Sequence, residues 1–129
     1  MESLPASVEQ FTRTYLQSVE GLLVFVTCLD NRERWWDAAT MAREVGVTEA
    51  AAHKTLERLA RANLLDIRVT GAVRYQFKPG TPDLESQADM FAAAYRKNPV
   101  HIMRLVVPSL PRSLRDFAEA FRIKRDDDR

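Results

Sequence analysis

The chain has 129 residues, is 46% hydrophobic and 29% charged, and carries a net charge of only +1. That is enough chain and enough apolar content for one domain with a core that needs neither disulfide nor metal, and the near-neutral balance argues against a protein that holds nucleic acid by bulk charge. The single cysteine, Cys28, excludes an internal disulfide and points to a reducing, cytoplasmic setting; the acidic start lacks a signal-peptide layout, and the longest apolar run, residues 22–26, is too short to span a bilayer.

Helical periodicity dominates. Val8, Phe11, Tyr15 and Val19 fall on one stripe of a first helix that Ser7 can cap. Ser18 can cap a second helix, 19 to about 29, whose apolar residues run almost all round and predict burial. Gly21 leaves open whether these two form one bent helix. A short third helix spans 37–45, with Ala38, Met41, Ala42 and Val45 inward. Gly46 then stands where a tight turn needs positive φ. Thr48 caps a fourth helix, 49 to about 63, with Ala52, Leu56, Leu59 and Asn63 as its inward stripe.

Two alternating segments follow, 66–70 and 72–78. Ile67 and Val69 oppose Arg68, and Val73, Tyr75 and Phe77 oppose Arg74, Gln76 and Lys78; with Thr70-Gly71 between them, they predict a β-hairpin. After Pro79-Gly80-Thr81-Pro82 a helix carries the stripe Leu84, Ala88, Phe91 and Tyr95, which is either core or a dimer seam. Asn98-Pro99 starts a short helix to about 107. Pro108 and Pro111 break it before a last helix bearing Leu114, Phe117, Ala118 and Phe121, which should dock on the body or on a partner. The expected organisation is one domain, with a core at 19–78 and a helical extension at 82–125.

Charge is uneven along this order. Residues 1–31 hold one base against four acids, whereas residues 32–78 hold nine bases against six acids. The positive excess coincides with the segment of helix, Gly turn, helix and hairpin. Residues 37–78, DAATMAREVGVTEAAAHKTLERLARANLLDIRVTGAVRYQFK, resemble the winged helix-turn-helix of bacterial regulators such as the MarR and IclR families. Trp35-Trp36 resembles the residue that packs at the start of helix two in such domains. The whole outline, with Tyr95-Arg96 and the Phe117-Ala118-Glu119-Ala120-Phe121 element, is similar to small bacterial winged-helix proteins.

The resemblance implies a mostly α fold with a small β-hairpin: a winged helix-turn-helix flanked by an N-terminal helix and C-terminal helices. It also implies a homodimeric transcriptional regulator that binds double-stranded DNA. A recognition helix at about 48–62 would enter the major groove, and the hairpin 66–78 would act as the wing. Base-reading residues would lie near Glu49, Ala50, Ala51, His53 and Lys54, with Thr48 at a helix N-terminus that favours phosphate. The face opposite Leu56 carries Ala50, Ala51, Lys54, Arg58 and Arg61, while Arg68 and Arg74 would meet an adjacent backbone or minor groove. Leu84, Ala88, Phe91 and Tyr95 would take part in dimerisation.

Alanine at 50 and 51 can touch a thymine methyl but cannot read a hydrogen-bonding edge, so phosphate contacts or DNA shape should carry much of any binding. The alternative is a winged-helix adaptor that binds another protein, with the aromatic C-terminal helix as docking element. No catalytic motif, cofactor loop or metal-ligand pair is present: His53 and His101 are isolated, and Cys28 sits in an apolar helix as a structural thiol.

Overall fold

A computed structural model describes residues 4–107. The expected last helix with Leu114, Phe117, Ala118 and Phe121 lies outside the described residues, as does everything from 108 onward. Within them the order is α1 (Ala6–Phe11), a π-helical turn (Thr12–Leu16), α2 (Val19–Asp30), α3 (Ala38–Val45), α4 (Glu49–Arg61), β1 (Leu65–Thr70), β2 (Ala72–Phe77), α5 (Pro82–Lys97) and α6 (Pro99–Val106). The architecture is mostly α with one antiparallel hairpin.

Local chemistry sets most of the ends. Ser18, Asp37, Thr48, Thr81 and Asn98 each sit one residue before a helix, and their side chains accept an orphan N–H of its first turn. Ser7 is not a cap. The chain enters α1 at Pro5, whose carbonyl accepts from Val8 and Glu9 N–H, so Ser7 lies inside the first turn. The first two helical segments are separate, because Gln17 takes a left-handed φ of 65° between them. Gly46 ends α3 at φ 84°.

α4 stops two residues before the sequence pattern ends. Asn63 adopts φ 70° and is exposed, so its side chain is not part of the inward stripe; Leu64, fully buried, takes that place. A left-handed Asn is tolerable where a β-branched residue is not.

In the hairpin, Leu65 pairs with Phe77, Ile67 with Tyr75, Arg68 with Arg74 and Val69 with Val73. Trp36 adds a one-residue bridge to β2: its N–H donates to the Tyr75 carbonyl at 2.7 Å, and Tyr75 N–H donates back at 2.8 Å. This places Trp36, 1% exposed, in the core at the entry to α3, in accord with the packing role read for the tryptophan pair.

The core centres on Phe11, Phe25 and Phe91. Phe11 lies 5.6 Å from both other rings, and Phe25 and Phe91 lie 5.5 Å apart. α5 therefore uses its stripe to close its own chain. Ala88 and Phe91 are fully buried, and Leu84 and Tyr95 pack half-buried on the same cluster. Within one chain this stripe packs against α1 and α2, with Ala88 and Phe91 innermost and Leu84 and Tyr95 keeping an accessible edge. Among the described residues, no helix is long and apolar enough to cross a membrane, and no group of three potential metal-ligating side chains converges.

Candidate nucleic-acid interface

α3 and α4 meet through the left-handed turn at Gly46, and α4 packs on the body through Ala52, Thr55, Leu56 and Leu59. The opposite side of a 3.6-residue helix must then carry Ala50, Lys54, Glu57 and Arg61. Ala50, Lys54 and Arg61 are exposed and Glu57 is half-exposed. Thr48 Oγ1 accepts from Ala51 N–H at 3.1 Å, so the cap hydroxyl is engaged as an acceptor. Glu49 and His53 are exposed near the start of the helix, and Ala51 is half-buried at its flank.

The outward face is less basic than its lysine and arginine suggest. Glu57 Oε1 stands 2.9 Å from Arg61 Nη2, and Glu57 Oε2 stands 3.5 Å from His53 Nε2. Glu57 was not among the candidate residues, although its i,i+4 spacing to both groups was the signal that could have found it. Such exposed pairs are weak, about 0–1 kcal/mol, and a phosphate can compete for Arg61.

Arg58 departs from the expected face. Its guanidinium is half-buried and turned inward, donating from Nη1 to the Tyr15 carbonyl and from Nη2 to the Leu16 carbonyl at 3.2 Å. Desolvation holds its pKa below the ordinary guanidinium range. Both carbonyls belong to the end of the π-helical turn, where backbone oxygens lack partners within the helix. Arg58 is therefore committed within its own chain and is not presented with Lys54 and Arg61.

The wing carries its charges on the face away from the core. Arg68 and Arg74 are direct cross-strand partners and both are exposed. Like charges so placed repel unless something lies between or beneath them. Arg68 stacks over Trp35 at 4.3 Å from the ring centroid, a cation–π contact that holds the guanidinium flat on the wing. Arg74 lies within electrostatic reach of Asp37, whose carboxyl is held below the usual carboxylate range chiefly by the Thr40 backbone N–H it accepts. Two further arginines lead into α3: Arg34 stacks on Trp36 at 3.8 Å, and Arg32 lies over Phe77 at 4.8 Å while reaching Asp89 at 3.2 Å.

The structure thus sets Thr48, Glu49, Ala50, His53, Lys54 and Arg61 on the accessible side of α4, and Arg68 and Arg74 on the accessible face of the wing. It removes Arg58 from that set and places Leu84, Ala88, Phe91 and Tyr95 on the core side of α5.

No protein-family model matches the chain, and no curated protein does. Among solved structures, the fold is similar to that in the crystal structure of NolR from Sinorhizobium fredii, with a TM-score of 0.51 and 16% identity over 76% of this chain and 97% of that one. At that identity the likeness bears on fold alone. Together with the helix–turn–helix at Gly46, the hairpin and the Trp36 bridge, it is consistent with a winged helix-turn-helix fold.

Proposed function

We propose that the chain is a DNA-binding transcriptional regulator that acts as a homodimer, with α4 in the major groove and the hairpin as its wing. The observation that carries this reading is the pairing of two solvent-facing surfaces with little direct readout chemistry but several cations. These are the Ala50–Lys54–Arg61 face of α4 and the Arg68–Arg74 face of the wing. A phosphate between Arg68 and Arg74 relieves their mutual repulsion, and a helix N-terminus with Thr48 as its cap favours a second. Ala50 can approach a thymine methyl, but no side chain in the first turn offers a bidentate purine contact, so sequence preference would rest largely on DNA shape. Pairing of two copies would use surfaces outside residues 37–78 and would leave Ala88 and Phe91 in the core of each.

Duplex binding across an ionic-strength series tests this. Lys54→Ala with Arg61→Ala removes two exposed cations at little cost to the fold. It should weaken binding and reduce the slope of log affinity against log salt by about 1 per lost contact. Wild-type affinity with an unchanged slope refutes the assignment of this face.

A second reading has its own support. Ile67, Val69 and Val73 stand 48%, 69% and 38% exposed on the apolar side of the wing tip. Beta-branched residues in water at a strand end suit a protein contact, so an adaptor would have the wing tip as a docking surface besides the aromatic C-terminal segment expected from the sequence. Retention of a protein partner by the wild type and its loss in Val69→Lys, with no duplex binding by either, would favour that reading.

A further inference from the structure

Arg58 was expected to touch DNA, and it is instead a long-range polar tie between α4 and the N-terminal segment. The tie joins three unusual local features. The π-helical turn Thr12–Leu16 ends with its carbonyls pointing out of the helix, and Gln17 turns the chain through a left-handed φ of 65°. The first turn of α2 then runs so close to that end that a Cβ on Gly21 would lie 1.9 Å from the Leu16 carbonyl oxygen and 2.8 Å from Arg58 Nη2. Only glycine leaves room for both the carbonyl and the guanidinium. The fork of Arg58 spans the Tyr15 and Leu16 carbonyls together, which a single ammonium cannot do with the same geometry.

We propose that Arg58 is a positioning residue. By holding the end of the π-helical turn, it fixes the rotation of α4 about its own axis and so the direction in which Lys54 and Arg61 face the duplex. Lys54 lies one turn before Arg58 on the same row of the helix, and Arg61 lies three residues after it, so a roll of α4 that frees Arg58 moves both. Burial of Ala52, Leu56 and Leu59 keeps one side of α4 on the body, but being non-directional it sets the exact roll less tightly than an oriented hydrogen bond does. Two bonds to fixed carbonyls supply the direction. The N-terminal segment thereby becomes part of the DNA-reading unit without touching DNA. This role rests on the DNA-binding reading of α4, but the tie itself is testable without DNA.

Three variants separate a positioning role from a phosphate contact. Arg58→Lys keeps the charge and loses the fork. Arg58→Ala loses both. Gly21→Ala leaves Arg58 intact and forces its carbonyl partner away. If Arg58 positions α4, all three should weaken duplex binding by about tenfold or more, Arg58→Lys and Gly21→Ala included, although these two keep every cation of the wild type. If Arg58 were a phosphate contact, Arg58→Lys and Gly21→Ala would bind like wild type, and Arg58→Ala alone would lower the slope by about 1.

Amide hydrogen exchange of the free protein supplies the second readout. The Gln17 and Ser18 amides donate to the Thr12 and Leu16 carbonyls, and their exchange should accelerate by tenfold or more in all three variants, while that of Leu56 and Leu59 in α4 stays slow. Unchanged exchange at Gln17 and Ser18 in Arg58→Lys overturns the proposal whether or not the protein binds DNA. Absence of duplex binding by the wild type would count against the proposed function, and the exchange result would still decide the tie.

Discussion

Replacing Phe91 distinguishes a core residue from a dimer seam more sharply than any other single change. Its ring is fully buried within one chain, 5.6 Å from Phe11, 5.5 Å from Phe25 and stacked at 5.9 Å on Tyr95. Phe91→Ala removes a buried ring and leaves a cavity walled by rings that α1, α2 and α5 hold in place. Such truncations cost about 3–5 kcal/mol, and each lost aromatic pair adds to the area term. A domain of this size has about 5–15 kcal/mol in total, so roughly a fifth or more of the stability is at stake, and the Tm should fall on the order of 10–20 °C. The assay is urea unfolding followed by circular dichroism at two protein concentrations a hundredfold apart. A core residue shifts the midpoint equally at both, with the m value unchanged. A residue at a seam between copies makes the loss depend on concentration, because association then contributes to apparent stability. A loss below 1 kcal/mol, or one confined to high concentration, would refute the packing derived for α5.

Two smaller changes test local chemistry. Asp37→Ala removes the cap of α3 and should cost about 1 kcal/mol at neutral pH. Because the folded carboxyl titrates below its ordinary 3.8, the charge-dependent part of that difference is present in full above the unfolded value; it should fade as pH drops through the depressed folded value, read by thermal melts from pH 7 to pH 2. Burial pushes the Cys28 thiol up to about 12, so iodoacetamide at pH 8 should leave it unmodified in the native protein and alkylate it within minutes in urea; mass spectrometry of the intact chain reads both, and rapid native labelling would refute its placement in α2.

Helix identities and most of their ends were legible because their causes are local. Ser18, Thr48 and Asn98 cap the helices they precede, since a side-chain oxygen one residue before a helix reaches orphan amides only a few residues on. The hairpin alternation was equally legible, since its period of two is written in Ile67, Val69, Val73, Tyr75 and Phe77. Even there, locality had a limit. Ser7 has the chemistry of a cap, but Pro5 begins the helix; Asn63 continues the spacing of the stripe, but the chain has already turned.

What only the tertiary structure decided is which of several compatible partners each surface meets. The stripe Leu84, Ala88, Phe91 and Tyr95 has one spacing whether it packs on its own α1 and α2 or on another copy; the fold brings Phe91 against Phe11 and Phe25 within the chain. Arg58 sits at the flank of α4, where helical periodicity permits either solvent or the body. Its inward turn depends on two carbonyls 42 and 43 residues earlier, exposed by a π-helical turn and approached closely because residue 21 has no side chain. Spacing along a chain fixes which side chains share a face, because that follows from backbone geometry. It does not fix what that face touches, because the partner is brought there by burial of apolar surface summed over the whole molecule.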